Sequence, residues 1–545
     1  IYGNFTFDVA QADALVNQTG GGTVSLSAGD AFFVNDTGAN ISSLTASDIT
    51  AFGALGAGSV DLLAAGTMTF DLSQYNAAVN AGVIIDAANN AVLSDTGSAL
   101  AALTTGEIGA LAGNGIDSID ASDNALSLTV GQYDQLGSVA LTAADMVTLA
   151  DTGANLAALD ATAIAALTNI DAYNATDDAI SLDVSQLGAL ATADIALTAG
   201  DTVTLSDTEA NIEGLTGAEL AGYATQGVDL IHANDSSTLN VTETQVAAVL
   251  GSTAAFAGGD TVTLNDTGAH IALLTAAQIG QLAGKGIDAI DATDDALSLT
   301  VAQYQALATV TLNGSDAVTL EDTGANLAAL SATDIGNLSN IDNFDATDNA
   351  ISLTAAQLDA LASKGIVLSD PTDVVTLGDT EANIEALSSG ALSAYINSQG
   401  VDVIHATDTS TINVGGGPVA TIIASSATFA SGDTVTLVDL GNNIAGFTDV
   451  QIGLFASHGI DKIDASNDVL ALSVAQYSAL GSVTLAAGDV VTLSDTGANI
   501  AALTSTQFGQ LAANGIDVID ASDNTLSLTV AQFTALGTTA LTVAD

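Results

Sequence analysis

Residues 287–330 read IDAIDATDDALSLTVAQYQALATVTLNGSDAVTLEDTGANLAAL. The octapeptide near the end, LEDTGANL, has eight relatives along the chain: VNDTGANI, LSDTGSAL, LADTGANL, LSDTEANI, LNDTGAHI, LGDTEANI, LVDLGNNI and LSDTGANI. Their first aspartates are Asp36, Asp95, Asp151, Asp207, Asp266, Asp379, Asp439 and Asp495, with Asp322 in the quoted copy. The spacing is about 57 residues throughout, and a fixed period of that size signals stacked supersecondary units. A longer period lies above it: YATQGVDLIHANDSSTLNV from Tyr223 matches YINSQGVDVIHATDTSTINV from Tyr395, about 172 residues on. The expected organisation is one continuous solenoid over residues 1–545, nine 57-residue repeats in about three 172-residue super-repeats.

Within the quoted repeat, Leu297-Ser298-Leu299 alternates like a half-buried strand. Thr300 and Gln303 then have capping-box spacing, and Val301, Tyr304 and Leu307 form a one-sided stripe, which predicts a helix. The box recurs as Thr129/Gln132, Thr354/Gln357, Ser473/Gln476 and Thr529/Gln532. Val310-Thr311-Leu312 and Val318-Thr319-Leu320 read as two strands joined through an acidic corner at Asp316. DTGAN reads as a turn, with Gly324 taking positive φ. A longer helix is predicted after it, opened by a box such as Thr275/Gln278 and stopped by Gly286, with equivalent stops at Gly115, Gly227, Gly400, Gly459 and Gly515. Each repeat is thus two coils of about 28 residues, each strand, acidic corner, strand, helix. The fold class is an α/β solenoid with parallel β-sheets along a rod on the order of 90 Å. Gly415-Gly416-Gly417-Pro418 interrupts the helix signal, and a loop or irregular return is expected there.

The spacing of Ile287, Ile290, Ala292, Asp295 and Leu297, and of Ile116, Ile119, Ala121, Asn124 and Leu126, resembles the leucine-rich-repeat consensus over half of each repeat, with Ala as the third apolar residue. That resemblance implies a short strand turning a corner into a helical or irregular return.

The charge balance is extreme: 63 Asp and Glu against three lysines and no arginine, a formal charge of −60. Nucleic acid and anionic lipid surfaces are excluded as partners, since both require basic patches. Only eight of the 63 acids are Glu. General acidic solvation uses both acids, whereas Asp is favoured where a short carboxylate turns the chain, caps a helix or holds a cation. Cysteine is absent, so no disulfide frame or zinc–thiolate site exists, which fits bacterial export. No stretch approaches 18 apolar residues, so membrane insertion is not expected. The chain opens Ile1-Tyr2-Gly3, as a processed or trimmed chain would.

Equivalent residues of stacked coils are expected to align. One row contains Asp123, Asp177, Asp235, Asp294, Asp348, Asp408 and Asp523, with Asp295 beside Asp294. The other contains Asp30, Asp145, Asp201, Asp260, Asp316, Asp373, Asp433 and Asp489. Like charges about 5 Å apart repel by roughly 3 kcal/mol at an effective dielectric of 20. Either these carboxylates splay into solvent and only shape turns, or cations sit between them. Calcium, which takes several carboxylate and carbonyl oxygens in flexible geometry, is the natural candidate. Its candidate ladder positions are Asp123, Asp294, Asp295, Asp348, Asp523, Asp145, Asp201, Asp260, Asp316, Asp433 and Asp489.

No catalytic residue is assigned. D-T-G is the active-site tripeptide of pepsin-like aspartic proteases, but its six evenly spaced copies suit turns better than one facing pair. His232 and His405 share a slot that holds Asp in other copies, and read as interchangeable polar residues at a strand edge. In composition and repeat style the full length resembles bacterial surface-layer proteins and type I-secreted giant adhesins. That resemblance implies a calcium-dependent, extracellular role as lattice, filament or extender. The expected partners are further copies of the chain, in a homopolymer or lattice, and a cell-surface polysaccharide. The chain begins and stops mid-repeat, which suits open-ended stacking into a filament or surface layer; the alternative is the stalk of a longer adhesin whose ligand-binding module lies elsewhere.

Overall fold

Val318 and Leu320 point inward and are wholly buried while Thr319 between them is partly exposed, the period-2 pattern of the strand Ala317–Asp322. Its first half pairs in parallel with the preceding strand Ala296–Leu299 (Leu297 opposite Val318), and its second half with the following strand Asn343–Ala346 (Leu320 opposite Phe344). Val367–Leu368 then pairs with Asn343–Ala346 and completes a four-stranded sheet. The next sheet starts afresh at Ala350–Leu353, beside Val374–Asp379, Val401–Ala406 and Thr428–Phe429. A strand shared in two halves makes the stack step sideways once per repeat. Like-numbered corners, such as Asp348 and Asp408, therefore lie between different pairs of sheets.

The structure, a computed structural model, describes residues 3–18, 27, 30–368 and 370–545. It divides into two compact units, Ile1–Asn265 with Gln281–Ala289, and Asp266–Gly280 with Ile290–Asp545. The strands above belong to the second. The first follows the same plan, as in the sheet of Ala179–Leu182, Thr202–Asp207, Val228–Ala233 and Ala255–Phe256. Each unit is an α/β solenoid holding four complete four-stranded parallel sheets. Its interior is lined by Val, Ile, Leu and Phe ladders, each such side chain worth about 1.5–3 kcal/mol when fully buried.

The helix signals translate directly into structure. Thr354 Oγ1 accepts the Gln357 N–H at 3.3 Å and Gln357 Oε1 accepts the Thr354 N–H at 2.8 Å, opening the helix Ala355–Lys364. Gly115, Gly227, Gly286, Gly400, Gly459 and Gly515 all take positive φ where helical segments stop. The capping-box glutamines do more than cap. Gln357 is buried, and its Nε2 donates to the carbonyls of Ala328 and Leu330, at 2.9 and 2.7 Å, at the end of a short helix one coil earlier. Gln186 makes the same clamp to Ala157 and Leu159.

Two expectations need correction. DTGAN is not a positive-φ turn: Gly324 is the first residue of the helix Gly324–Ala328, capped by Thr323. Glycine is needed there because a Cβ would collide with the carbonyl of Ala350 on the next coil. Gly415 to Pro418 is not a loop either. The helix Gly416–Ile423 runs through it, since Pro418 lies in the first turn, where no intrahelical N–H bond is required. Asp439 Oδ2 accepts the Gly416 N–H at 2.9 Å, and Val419 and Ile422 are buried, so packing and a remote carboxylate replace the missing cap.

Candidate cation sites at the acidic corners

Three of the recurring kinds of aspartate bear on the corners, and the structure separates them by what their oxygens accept. The DTG aspartates are tied into the backbone. Asp322 Oδ1 accepts the Thr323 N–H and the Asn326 side-chain amide at 2.8 and 2.6 Å, and Oδ2 accepts the Val301 N–H at 3.1 Å. Asp207 repeats this with Thr208, Asn211 and Val184. Burial alone would raise the carboxyls of Asp36, Asp207, Asp439 and Asp495, but these donated hydrogen bonds outweigh it and hold them below the usual carboxylate range. The tripeptide is thus a knot joining a strand end to a helix start in the preceding coil.

The second kind lies at the tight corner between two short strands. Asp123, Asp294, Asp348 and Asp523 each accept, through Oδ1, the N–H of the DTG glycine one coil earlier: Gly97, Gly268, Gly324 and Gly497, at 2.8–2.9 Å. The Gly497 N–H is the main reason that Asp523 is held low. Asp295 closes its corner with φ 55°. Four of the sequence-derived candidates therefore have one oxygen already occupied by the chain.

The third kind precedes the long strand. Asp145, Asp201, Asp316, Asp373 and Asp489 accept through Oδ2 the N–H of Ala121, Ala175, Ala292, Ala346 and Ala465, at 2.8–3.1 Å. Asp260 and Asp433 accept from Ala233 and Ala406 at 3.2 Å. The residue before that alanine lies on a strand one coil earlier, beside the corner carboxylate, and its identity varies. Across these seven it is Asp120, Asp291, Asp345 or Asp464 in four, His232 or His405 in two, and Asn174 opposite Asp201; Asp520 faces the exposed Asp545 in the same way.

The histidines lie against their carboxylates. His232 Nδ1 is 3.1 Å from Asp260 Oδ1, and His405 Nδ1 is 3.1 Å from Asp433 Oδ2. In the four copies with Asp in that place, Oδ1 of the corner residue (Asp145, Asp316, Asp373 or Asp489) is buried without a hydrogen-bond partner. Each of these residues is only 5–7% exposed. Burial pushes all four carboxyls up, and neighbouring acids push them further: Asp120 and Asp123 on Asp145, Asp291, Asp295 and Asp294 on Asp316, Asp370 and Asp348 on Asp373, and Asp464 and Asp468 on Asp489. Lys462 offsets part of the effect at Asp489. Among the described residues, one set of three carboxylates closes tightly: Asp345, Asp370 and Asp373 each place an oxygen within 4.8 Å of the other two.

The two expected rows are thus not independent lists. Corners of both kinds meet in local groups, with Asp294, Asp295 and Asp316 in one and Asp123 and Asp145 in another. Asp120, Asp291, Asp345, Asp370 and Asp464 join these groups and are not among the candidates the repeat spacing singles out. The interchange of Asp with His232 and His405 was the visible signal, because a residue type that alternates between acid and base in one slot faces a charged partner.

No helix is long and apolar enough to cross a membrane among the described residues. No family model matches the chain, and no curated protein matches it. Among solved structures it is similar to the Arabidopsis receptor kinase HAESA LRR ectodomain in complex with an N-terminally extended IDA peptide hormone ligand, at 12% identity and a TM-score of 0.14. That match covers 83% of this chain and 63% of the HAESA chain.

Proposed function

We propose that this chain is a structural repeat protein of the bacterial cell exterior, self-assembling into a filament or surface layer and stabilised by calcium at its acidic corners. It acts as a scaffold and not as an enzyme. The supporting observation is that buried polar side chains are used, coil after coil, to join neighbouring coils: the aspartate knot, the glutamine clamp and the corner carboxylate. Groups placed this way strengthen a stack. A net charge of −60 repels other copies, and cations lower that repulsion within and between chains. The test is electron microscopy of the purified chain at about 1 mM calcium, a level at which extracellular calcium modules are loaded, and again after chelation. Ordered filaments or sheets that disperse on chelation support the proposal. Isolated particles in both conditions overturn it in favour of an adhesin stalk.

A further inference from the structure

We propose that Asp145, Asp316, Asp373 and Asp489, each with the aspartate facing it from the coil before, hold a hard divalent cation of the calcium class, and that His232 and His405 take the place of that cation in their own copies. The inference deepens the calcium reading above by naming the sites.

The argument rests on a substitution the molecule makes within itself. At Asp260 and Asp433 a ring nitrogen sits against the carboxylate. At Asp145, Asp316, Asp373 and Asp489 the facing residue is a second carboxylate, which donates nothing when ionised. The corner oxygen there is buried and unpaired, an arrangement that is costly for a neutral group and more so for a charged one. These orphan oxygens belong to Asp145, Asp316, Asp373 and Asp489, the four buried corners opposed by Asp. A partner for the corner oxygen is therefore missing at these four places, where aspartate stands in the histidine slot.

The ligand atoms define the cation class. They are all carboxylate oxygens, which favour hard cations over zinc or copper. Calcium–oxygen distances of about 2.3–2.6 Å put opposed ligands roughly 5 Å apart. The oxygens of Asp345, Asp370 and Asp373 lie within 4.8 Å of one another, so one ion touches all three. Magnesium demands near-ideal octahedral geometry and gives up its waters reluctantly, so an irregular trio suits calcium better. Asp373 is the expected tightest site.

The experiment is calcium titration calorimetry on the dispersed, chelator-stripped full chain, in enough salt to screen its diffuse surface charge. Thermal melting is followed with and without chelator. Wild type is expected to bind four ions tightly and to melt higher with calcium. The quadruple variant Asp120→His, Asp291→His, Asp345→His, Asp464→His is expected to lose all four and to melt at the same temperature with and without chelator. The double variant His232→Asp, His405→Asp is expected to bind six, and to melt below wild type only in chelator. Should the quadruple variant fold poorly, Asp345→His alone is expected to reduce four sites to three. Wild-type stoichiometry retained in the histidine variants, or no tight binding by wild type, overturns the proposal. Because the readout is binding by dispersed chain, lack of filaments bears only on the assembly role, whereas lack of binding bears on these sites and on the calcium dependence and leaves self-assembly standing.

Discussion

Asp345 and His405 occupy equivalent places on the strands Asn343–Ala346 and Val401–Ala406, and face equivalent corner residues, Asp373 and Asp433. Around them the scaffold is the same: both corner carboxylates accept an alanine N–H from the coil before, and both are almost fully buried. Only the facing group differs, and with it the electrostatics. An imidazole nitrogen 3.1 Å away satisfies Asp433, whereas burial, Asp370 and Asp348 push Asp373 toward protonation and one of its oxygens is left unpaired. One backbone frame thus supports either a self-contained corner or one that calls for a cation, and a single side chain decides which.

The largest effect that tests this contrast comes from the frame itself. Phe344 is fully buried beside Asp345, and Phe344→Ala is expected to cost about 3–5 kcal/mol in urea unfolding. If the frame positions the site, calcium affinity at Asp373 falls with it, while the Asp433 corner keeps its local amide protection in hydrogen exchange. Equal loss of protection at both corners breaks the comparison.

Next come the corner acids. In chelator, Asp433→Ala strips an established His405 contact and is expected to destabilise by about 1–3 kcal/mol. Asp373→Ala relieves repulsion as well as losing the Ala346 bond, so it is expected to cost less without calcium and more with it. Urea midpoints of both variants, with and without calcium, measure the crossover; the same order in both conditions contradicts it.

The glutamine clamp is common to both kinds of corner. Gln357→Ala and Gln245→Ala each leave buried carbonyls unpaired, at Leu330 and Leu215, and are each expected to cost about 1–2 kcal/mol, independent of calcium. A calcium-dependent difference between them would show that the cation supports more than the corners.

The smallest effect is the acid limb of stability. Asp207 and Asp439 have folded values below the ordinary one, so their stabilisation is complete above about pH 4 and is lost as pH falls through the folded values. Melting temperature between about pH 2 and 6 is expected to fall less steeply for Asp207→Asn than for wild type. An unchanged slope would mean that the knot contributes no linked proton uptake.

The legible parts of this molecule were those encoded by local spacing. Thr354 and Gln357 three residues apart announce a capped helix in any surroundings, and Gly286 after an apolar stripe announces its stop. The capping box could not reveal that Gln357 also reaches Leu330, because that bond depends on the neighbouring coil. By its local sequence Gly324 suggests conformational freedom, yet what demands glycine is a carbonyl at Ala350, 26 residues away. Pro418 looked like a helix breaker because the compensating acceptor, Asp439, lies in the next coil.

The sequence alone determined the repeat, the order of strands, corners and helices within it, and the acidic character of the corners, because each is written in the 57-residue period, in local periodicities of two to four residues or in composition. Only the tertiary structure decided which acids meet. Sharing one long strand between two neighbours steps each sheet sideways after four strands, so the partner of Asp373 is set by register between coils, and no spacing within a coil encodes that register.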